Sequence, residues 1–393
     1  MDKYISEGSG PMVAIEIEES VFGEIETIGM LQEIVDYVSE EKTTVTFNQT
    51  QGGSIHTDPV LYNGVIYFNA SDKNLYAISP DGEKIWTFKC RDIPFHLTIY
   101  DGVIYFGCYD KNLYAVSLEG RGLWKFATNG KVVSRPFVHG GMVYFGSEDG
   151  NLYAISLKGD LVWKFNTRER VFSAPVVHKG MVIFGAEDKN VYARDIKTGK
   201  MIWRFTGNAA MGSPVVYKDV IYVVSYDHNL YALDLSGRLL WKFTTTAPIS
   251  YKECLVVNDV VYFANDGGIA YALGIDGKLK WKFQTEGKIN FITLVLHNGV
   301  IYFGSHDFKL YALDAKTGGK VWTYRANNII ISRPLIHNNR IYFGCWDCNF
   351  YCLNLEGRLM WKLPTSTSKL ASVDVPATTG KKISRFIMKP QDV

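Results

Sequence analysis

No run of about 18 apolar residues occurs in the 393-residue chain, so no hydrophobic helix is expected to cross a membrane. The opening stretch MDKYISEGSGPMVAIEIEES lacks an apolar segment behind basic residues, and no secretory signal is expected. Cysteine is sparse: Cys90, Cys108, Cys254, Cys345, Cys348 and Cys352 fall in strand-like or turn positions, without a secreted-domain framework. A cytoplasmic, reduced setting is therefore expected. A formal net charge of +2 gives no overall nucleic-acid or membrane-surface signature. Catalytic signatures are missing too. There is no Ser-His-Asp ordering, phosphate loop or HExxH motif, and Asp266-Gly267-Gly268 sits in a hairpin with no helix behind it.

What the chain has is a repeat. Phe184–Phe205, FGAEDKNVYARDIKTGKMIWRF, alternates with period 2 and reads as three strands around turns at Glu187–Asn190 and Lys197–Gly199. Trp recurs at 86, 124, 163, 203, 241, 281, 322 and 361, with spacings of 38 to 41 residues. Gly lies four residues before each: Gly82, Gly120, Gly159, Gly199, Gly237, Gly277, Gly318 and Gly357. A Tyr precedes each Trp by ten or eleven residues, from Tyr76 to Tyr351. Four strand-sized runs per period form one antiparallel sheet, which cannot bury both faces alone. The copies must stack radially. The expected fold is all-β, an eight-bladed β-propeller of four-stranded antiparallel blades.

Blade sequences such as YARDIKTGKMIWRF and YALDAKTGGKVWTY resemble the repeats of the pyrroloquinoline-quinone (PQQ) propeller superfamily. That superfamily includes quinoprotein alcohol dehydrogenases and outer-membrane assembly lipoproteins of the BamB type. The resemblance covers about Gln51 to Pro364. In the dehydrogenases it implies a funnel holding PQQ between a Trp and a vicinal disulfide, with a metal ion and an Asp base. This chain has no adjacent cysteine pair and lacks long inter-blade insertions, so quinoprotein catalysis is not expected. It also has no lipobox cysteine near its N-terminus.

Three segments follow from composition: an acidic arm at 1–42, a propeller at 43–364 and a basic tail at 365–393. Residues 1–42 carry eleven acidic residues against two lysines, a net of −9, so the remainder carries +11. Phe22, Ile25, Ile28, Leu31, Ile34, Val35 and Val38 form one apolar stripe, which predicts an amphipathic helix over about 21–38, with Ser20 as its cap. It would serve as a lid on the body or as a docking helix. Lys42–Asn48 mimics the outer Trp strand and is expected to add to the edge of the last blade. The tail either pairs with the acidic arm or takes no regular structure.

Repeated residues build the scaffold, so function is sought where blades differ. One variable ring precedes the innermost strand: Asp58, His96, Arg135, Ala174, Ser213, Glu253, Thr293 and Arg333. Two residues earlier on the same face come His56, Phe172, Met211, Tyr251, Phe291 and their equivalents. A second ring lies in the turn before a recurring Asp: Ser71, Tyr109, Glu148, Glu187, Tyr226, Asp266, His306 and Trp346. Both are expected to line one funnel. Tyr109, Tyr226, Tyr251 and Trp346 offer rigid contact area, and Arg135 and Arg333 offer forked anion donors. The alternative is a set of surface turns that simply vary.

The recurring Asp, from Asp72 to Asp347, reads as structural, because an Asp-x-Asn turn caps its own backbone. His139, His178, His297 and His337 fall at hairpin turns on the opposite face. Lys125, Lys164, Arg204, Lys242, Lys282 and Lys362 lie on outer edge strands, where lysine blocks sheet-to-sheet pairing. Cys345, Cys348 and Cys352 hint at half a metal site, but Cys345 and Cys352 replace small buried residues of sister blades and no fourth ligand is evident. The expectation is a monomeric, non-catalytic binding platform without cofactor, metal, nucleic acid or membrane. It would take a protein partner or a small anionic ligand at the funnel face. The alternative is a cofactor- or anion-binding redox or sensor protein.

Overall fold

Within each repeat the burial changes strand by strand, and that gradient fixes which edge faces the axis. In the fourth repeat Met181–Gly185 and Asn190–Asp195 are almost wholly buried, Val176–His178 are half-buried, and Met201–Thr206 alternate between exposed and half-buried. The short Val176–His178 strand is innermost and the Trp strand is the rim. A fully buried Phe184 contributes about 1.5–3 kcal/mol, and seven of the eight blades place such a ring at their centre, the fifth having Val223 instead. Phe184 stacks on Tyr192 with centroids 5.3 Å apart.

The computed structural model describes residues 32–34, 42–49, 53–250, 252–290, 293–365 and 369–376. Two units divide the chain. Residues 53–365 form one, and residues 1–52 with 366–393 form the other. The first unit holds eight four-stranded antiparallel sheets, each drawn from contiguous chain. We number blades by their innermost strands: Val60–Tyr62, Pro94–Tyr100, Phe137–His139, Val176–His178, Val215–Tyr217, Leu255–Val257, Val295–His297 and Leu335–His337. The eight-bladed all-β propeller expected from the repeats is the observed fold.

The Gly–Trp spacing now has a cause. Each Gly sits on the indole of the preceding blade: a Cβ on Gly120 would meet Trp86 at 2.9 Å, and one on Gly237 would meet Trp203 at 2.6 Å. The contact is cyclic, because Gly82 of the first blade lies on Trp361 of the eighth. Seven of the indoles also donate Nε1–H to a carbonyl of the next blade, as Trp203 does to Leu235 at 2.8 Å. At the seam the pattern changes. Arg340 takes the equivalent carbonyl, Pro80 O, at 3.1 Å and pairs with Asp81 at 2.6 Å, leaving Trp361 Nε1 without a partner among the described residues. Phe68 of the first blade stacks on Phe350 of the eighth at 4.3 Å, and Thr365 Oγ1 donates to Gly53 O. Ring closure is thus side-chain packing and hydrogen bonding between the two ends of contiguous chain.

This corrects the expected place of Lys42–Asn48. Lys42–Gln49 does not extend the eighth blade, whose described strands number four; it pairs over eight residues with Lys369–Pro376 and also with Gln32–Ile34. Because every blade is complete from its own contiguous segment, the edge needs no borrowed strand. Apart from Gln32–Ile34, which are extended, the helix expected over 21–38 lies outside the described residues. Among the described residues no helix is long and apolar enough to cross a membrane.

The Asp turns are structural, as read. Asp188 Oδ1 accepts from Asn190 N–H at 3.2 Å, and its Oδ2 accepts from the Tyr192 hydroxyl at 2.5 Å. The same Asp–Tyr bond recurs in six other blades. The sixth lacks it: Asn265 Nδ2 lies 3.4 Å from the Tyr271 hydroxyl, and Asp266 bonds Ser250 instead.

Candidate functional site

The innermost strands bring the ends of one variable ring together at the axis. Asp58, His96, Arg135, Glu253 and Arg333 come from the first, second, third, sixth and eighth blades, and all five join one ionic network. Asp58 is 5 % exposed. Its Oδ2 accepts from the Arg135 guanidinium and from Lys252 Nζ at 3.2 Å, with His96 Nδ1 at 3.8 Å. Its Oδ1 accepts the Arg333 backbone N–H at 2.9 Å. Arg135 reaches Glu253 with its other terminal nitrogen at 2.9 Å, and Arg333 approaches the same carboxylate at 3.9 Å. Arg135 thereby clamps two carboxylates from blades on different sides of the ring.

Burial alone would raise the Asp58 carboxyl, but Lys252, then Arg135 and the Arg333 backbone N–H, hold it well below the usual carboxylate range. Burial likewise opposes ionisation of Glu253, and Arg135 and Lys252 overcome it, so its carboxyl is also lowered. Arg135 is raised further: burial works against it, while Glu253 and Asp58 fix its charge. Lys252 is lowered by burial. Counting three cations and two carboxylates, with the histidines neutral, the network carries +1.

Both nearby histidines are held neutral. Burial, then Lys252, lowers His56 to about 4, and the same two causes push His96 well below its ordinary value. His96 Nε2 lies 3.0 Å from Lys252 Nζ and accepts there. Two of the eight histidines should therefore show imidazole NMR signals that do not titrate between about pH 5.5 and 8. Normal titration of both would mean that the network is solvated.

Lys252 is absent from the variable ring, because it lies one residue before Glu253. A signal exists in the sequence. At the equivalent position Thr57, Ser134, Ser173 and Ser332 carry hydroxyls, each bonded to the second strand of its own blade, as Ser173 Oγ is to Gly185, while Phe95, Gly212 and Ile292 are uncharged. Lys252 is the one charged residue at that position.

The second ring stands on neighbouring turns. Tyr109 N–H donates to Ile93 O, His306 N–H to Lys288 O and Trp346 N–H to Ile329 O, each to the segment leading into the innermost strand. All eight members are half-buried. Tyr109 stacks on Phe95 at 4.8 Å, with Lys131 Nζ 3.9 Å from its ring centroid. Glu187 pairs with Arg170 at 3.5 Å. Burial raises the Tyr226 hydroxyl. Trp346 of the eighth blade packs against an apolar cluster that includes Leu294 and Phe303 of the seventh, whose turn carries His306. His306 Nε2 and Trp346 Nε1 are buried with no hydrogen-bond partner among the described residues. Burial, then Lys288, lowers the His306 imidazole. Tyr251 and Phe291 lie outside the described residues.

Beyond the ionic network the innermost strands line an open cavity of about 610 Å³, with Asp58, Arg135 and Arg333 at one end and mostly aliphatic side chains, with Thr98 and His297, along its walls. The six cysteines are free and buried. Cys345 and Cys352 sit in inter-blade apolar clusters, and burial pushes the Cys352 thiol up to about 11. Among the described residues no group of three His, Cys, Asp or Glu side chains is placed to hold a metal ion.

The family model described as outer membrane protein assembly factor BamB matches residues 93–206, 158–289 and 266–385, which together span more than half of the chain. No curated protein matches. Among solved structures, the chain is similar to BamB from Moraxella catarrhalis, with 19 % identity, a TM-score of 0.65, and coverage of 80 % of this chain and 95 % of that one. A computationally designed protein, Ika8, matches with 16 % identity and a TM-score of 0.69, covering 77 % of this chain and 96 % of that one. At these identities the two structures speak for the fold alone. The eight Gly–Trp blade contacts and the family match agree: this chain belongs to the PQQ-repeat propeller family described as outer membrane protein assembly factor BamB.

Proposed function

We propose that the protein is a non-catalytic binding platform that engages a protein partner through the turn face of the second ring. The observation that carries this reading is the pair His306 Nε2 and Trp346 Nε1. They lie on adjacent blades, both buried and both unsatisfied among the described residues. Leaving a buried polar atom unpaired costs about 1–3 kcal/mol, a cost that a partner would remove by drawing these turns outward and pairing both atoms. Tyr109 and Trp346 supply large, rigid apolar area on a scaffold whose turns are pinned by backbone hydrogen bonds, a composition typical of protein-binding hot spots. The channel's ionisable groups are engaged with one another, which favours a structural over a catalytic role for them. The family description names an assembly factor, which accords with a platform.

The test is chemical crosslinking and affinity capture from native lysate, with the full chain as bait. The comparison is a Tyr109→Ala/His306→Ala/Trp346→Ala variant and a rim variant, Lys164→Glu/Lys242→Glu. One partner should be captured by the unaltered chain and the rim variant, and weakened at least about tenfold by the turn-face variant, since two or three hot-spot truncations at ~1–2 kcal/mol each suffice. Equal capture by all three would overturn the assignment of this face.

A further inference from the structure

The cavity of about 610 Å³ lies on the other side of the ionic network from the second-ring turns. The second-ring turn of the first blade bonds Ser54, upstream of Asp58, whereas the cavity is lined by residues 58–61, downstream of it. Its volume falls within the ~300–1,000 Å³ usual for small-molecule sites. The lining comes mainly from the seventh, eighth, first and second blades. Leu61, Leu97, Leu296 and Ile336 are among its aliphatic walls. The charged groups, Asp58, Arg135 and Arg333, are gathered at the inner end.

Among those groups the two arginines differ. Arg135 is held by Asp58 and Glu253. Arg333 has a side chain 39 % exposed and comes no closer to Glu253 than 3.9 Å, so much of its guanidinium fork faces the cavity without a tight carboxylate. Asp58 does not oppose an incoming anion, because both of its oxygens are already engaged by Arg135, Lys252 and the Arg333 N–H. The network's +1 is balanced by one negative charge rather than two. Toward the outer mouth, four residues along the strand from the level of Arg333 and roughly 13 Å away, His297 lines the wall with Nε2 buried and unpartnered among the described residues.

We propose that this channel mouth binds a small aliphatic monocarboxylate, its head on Arg333 and its chain along the leucine and isoleucine walls. The carboxylate meets a planar fork suited to bidentate recognition. The aliphatic body replaces water against apolar strands. This site is independent of the second-ring face.

Isothermal titration of the full-length chain with octanoate, octan-1-ol and acetate tests both halves of the assignment. Octanoate should bind at least about tenfold tighter than octan-1-ol, which lacks the charge, and than acetate, which lacks the body. Arg333→Met should remove most of the octanoate advantage while leaving octan-1-ol unchanged. The Tyr109→Ala/His306→Ala/Trp346→Ala variant should bind octanoate as the unaltered protein does, so that failure here and failure of the platform reading are distinguishable. Equal affinity for octanoate and octan-1-ol, or no octanoate binding, overturns the proposal on the unaltered protein alone. A folded Arg333→Met variant with undiminished octanoate affinity does so as well.

Discussion

Asp58→Ala is expected to destabilise the propeller by about 3–5 kcal/mol, the range for removing one partner of a buried ion pair. Asp58 is the acceptor that the Arg135 guanidinium, Lys252 Nζ and the Arg333 N–H share, and alanine leaves three cations facing Glu253 alone. Equilibrium denaturation in urea, followed by tryptophan fluorescence, measures the loss. Lys252→Met is the informative companion. It removes the surplus positive charge and keeps a flexible apolar stem in the same space, so its cost should stay below ~1 kcal/mol. A large loss for Asp58→Ala with a small one for Lys252→Met identifies charge balance as the quantity at stake. Similar losses for both would instead point to shape.

The same residue sets an acid limit. The Asp58 carboxyl lies well below its unfolded value of about 3.9, because Lys252, Arg135 and the Arg333 N–H favour the charged form despite burial. Its contribution is therefore fully present above the unfolded value and is lost as pH falls below it, toward the lowered folded value. Glu253, also lowered, acts in the same direction. In the Asp58→Ala variant the stability–pH curve between about pH 5 and 2 should be flatter than in the unaltered chain.

The blade count could be read before any coordinates because the devices that hold a propeller together recur once per blade. Trp and Gly are eightfold, and the turn in which an Asp precedes a Tyr by four residues is sevenfold. What the spacing does not carry is the reason for the glycine, since the indole it covers lies 34 to 37 residues earlier in the chain, and for Gly82 at the other end of it. The first ring could be found by aligning blades, as a position where one blade holds Asp, another Arg and another Glu. Their mutual pairing could not be, because Asp58, Arg135 and Glu253 meet only once eight blades close around an axis. Lys252 was hidden for a narrower reason: it occupies the hydroxyl position beside the ring, where Ser134 or Ser332 would bond its own blade. The fate of Lys42–Gln49 escaped a local reading because a Val-Thr-Phe strand pattern says nothing about which edge it will join. Its partner, Lys369–Pro376, lies more than 300 residues away.

Gly237→Ala should cost about 2–5 kcal/mol, and two separable terms add up to it. The first is conformational. Gly237 has φ of +80°, a region that costs an L-residue roughly 1–2 kcal/mol. The second is the Trp203 indole, which a new Cβ would meet at 2.6 Å through ring atoms rather than a flexible tip. That ring cannot simply retreat. Its Nε1 donates to Leu235 O at 2.8 Å, and overpacking of this kind costs about 1–3 kcal/mol. Gly64→Ala isolates the first term, because Gly64 has φ of +77° with nothing within 4 Å of the added carbon. Thermal unfolding of both variants therefore yields the inter-blade term by difference. If the two lose the same stability, the indole yields freely and the Gly–Trp contact is not what spaces the blades. If Gly237→Ala loses more by about the expected margin, each of the eight repeats is fastened to its neighbour by a contact that no other residue in place of glycine would allow.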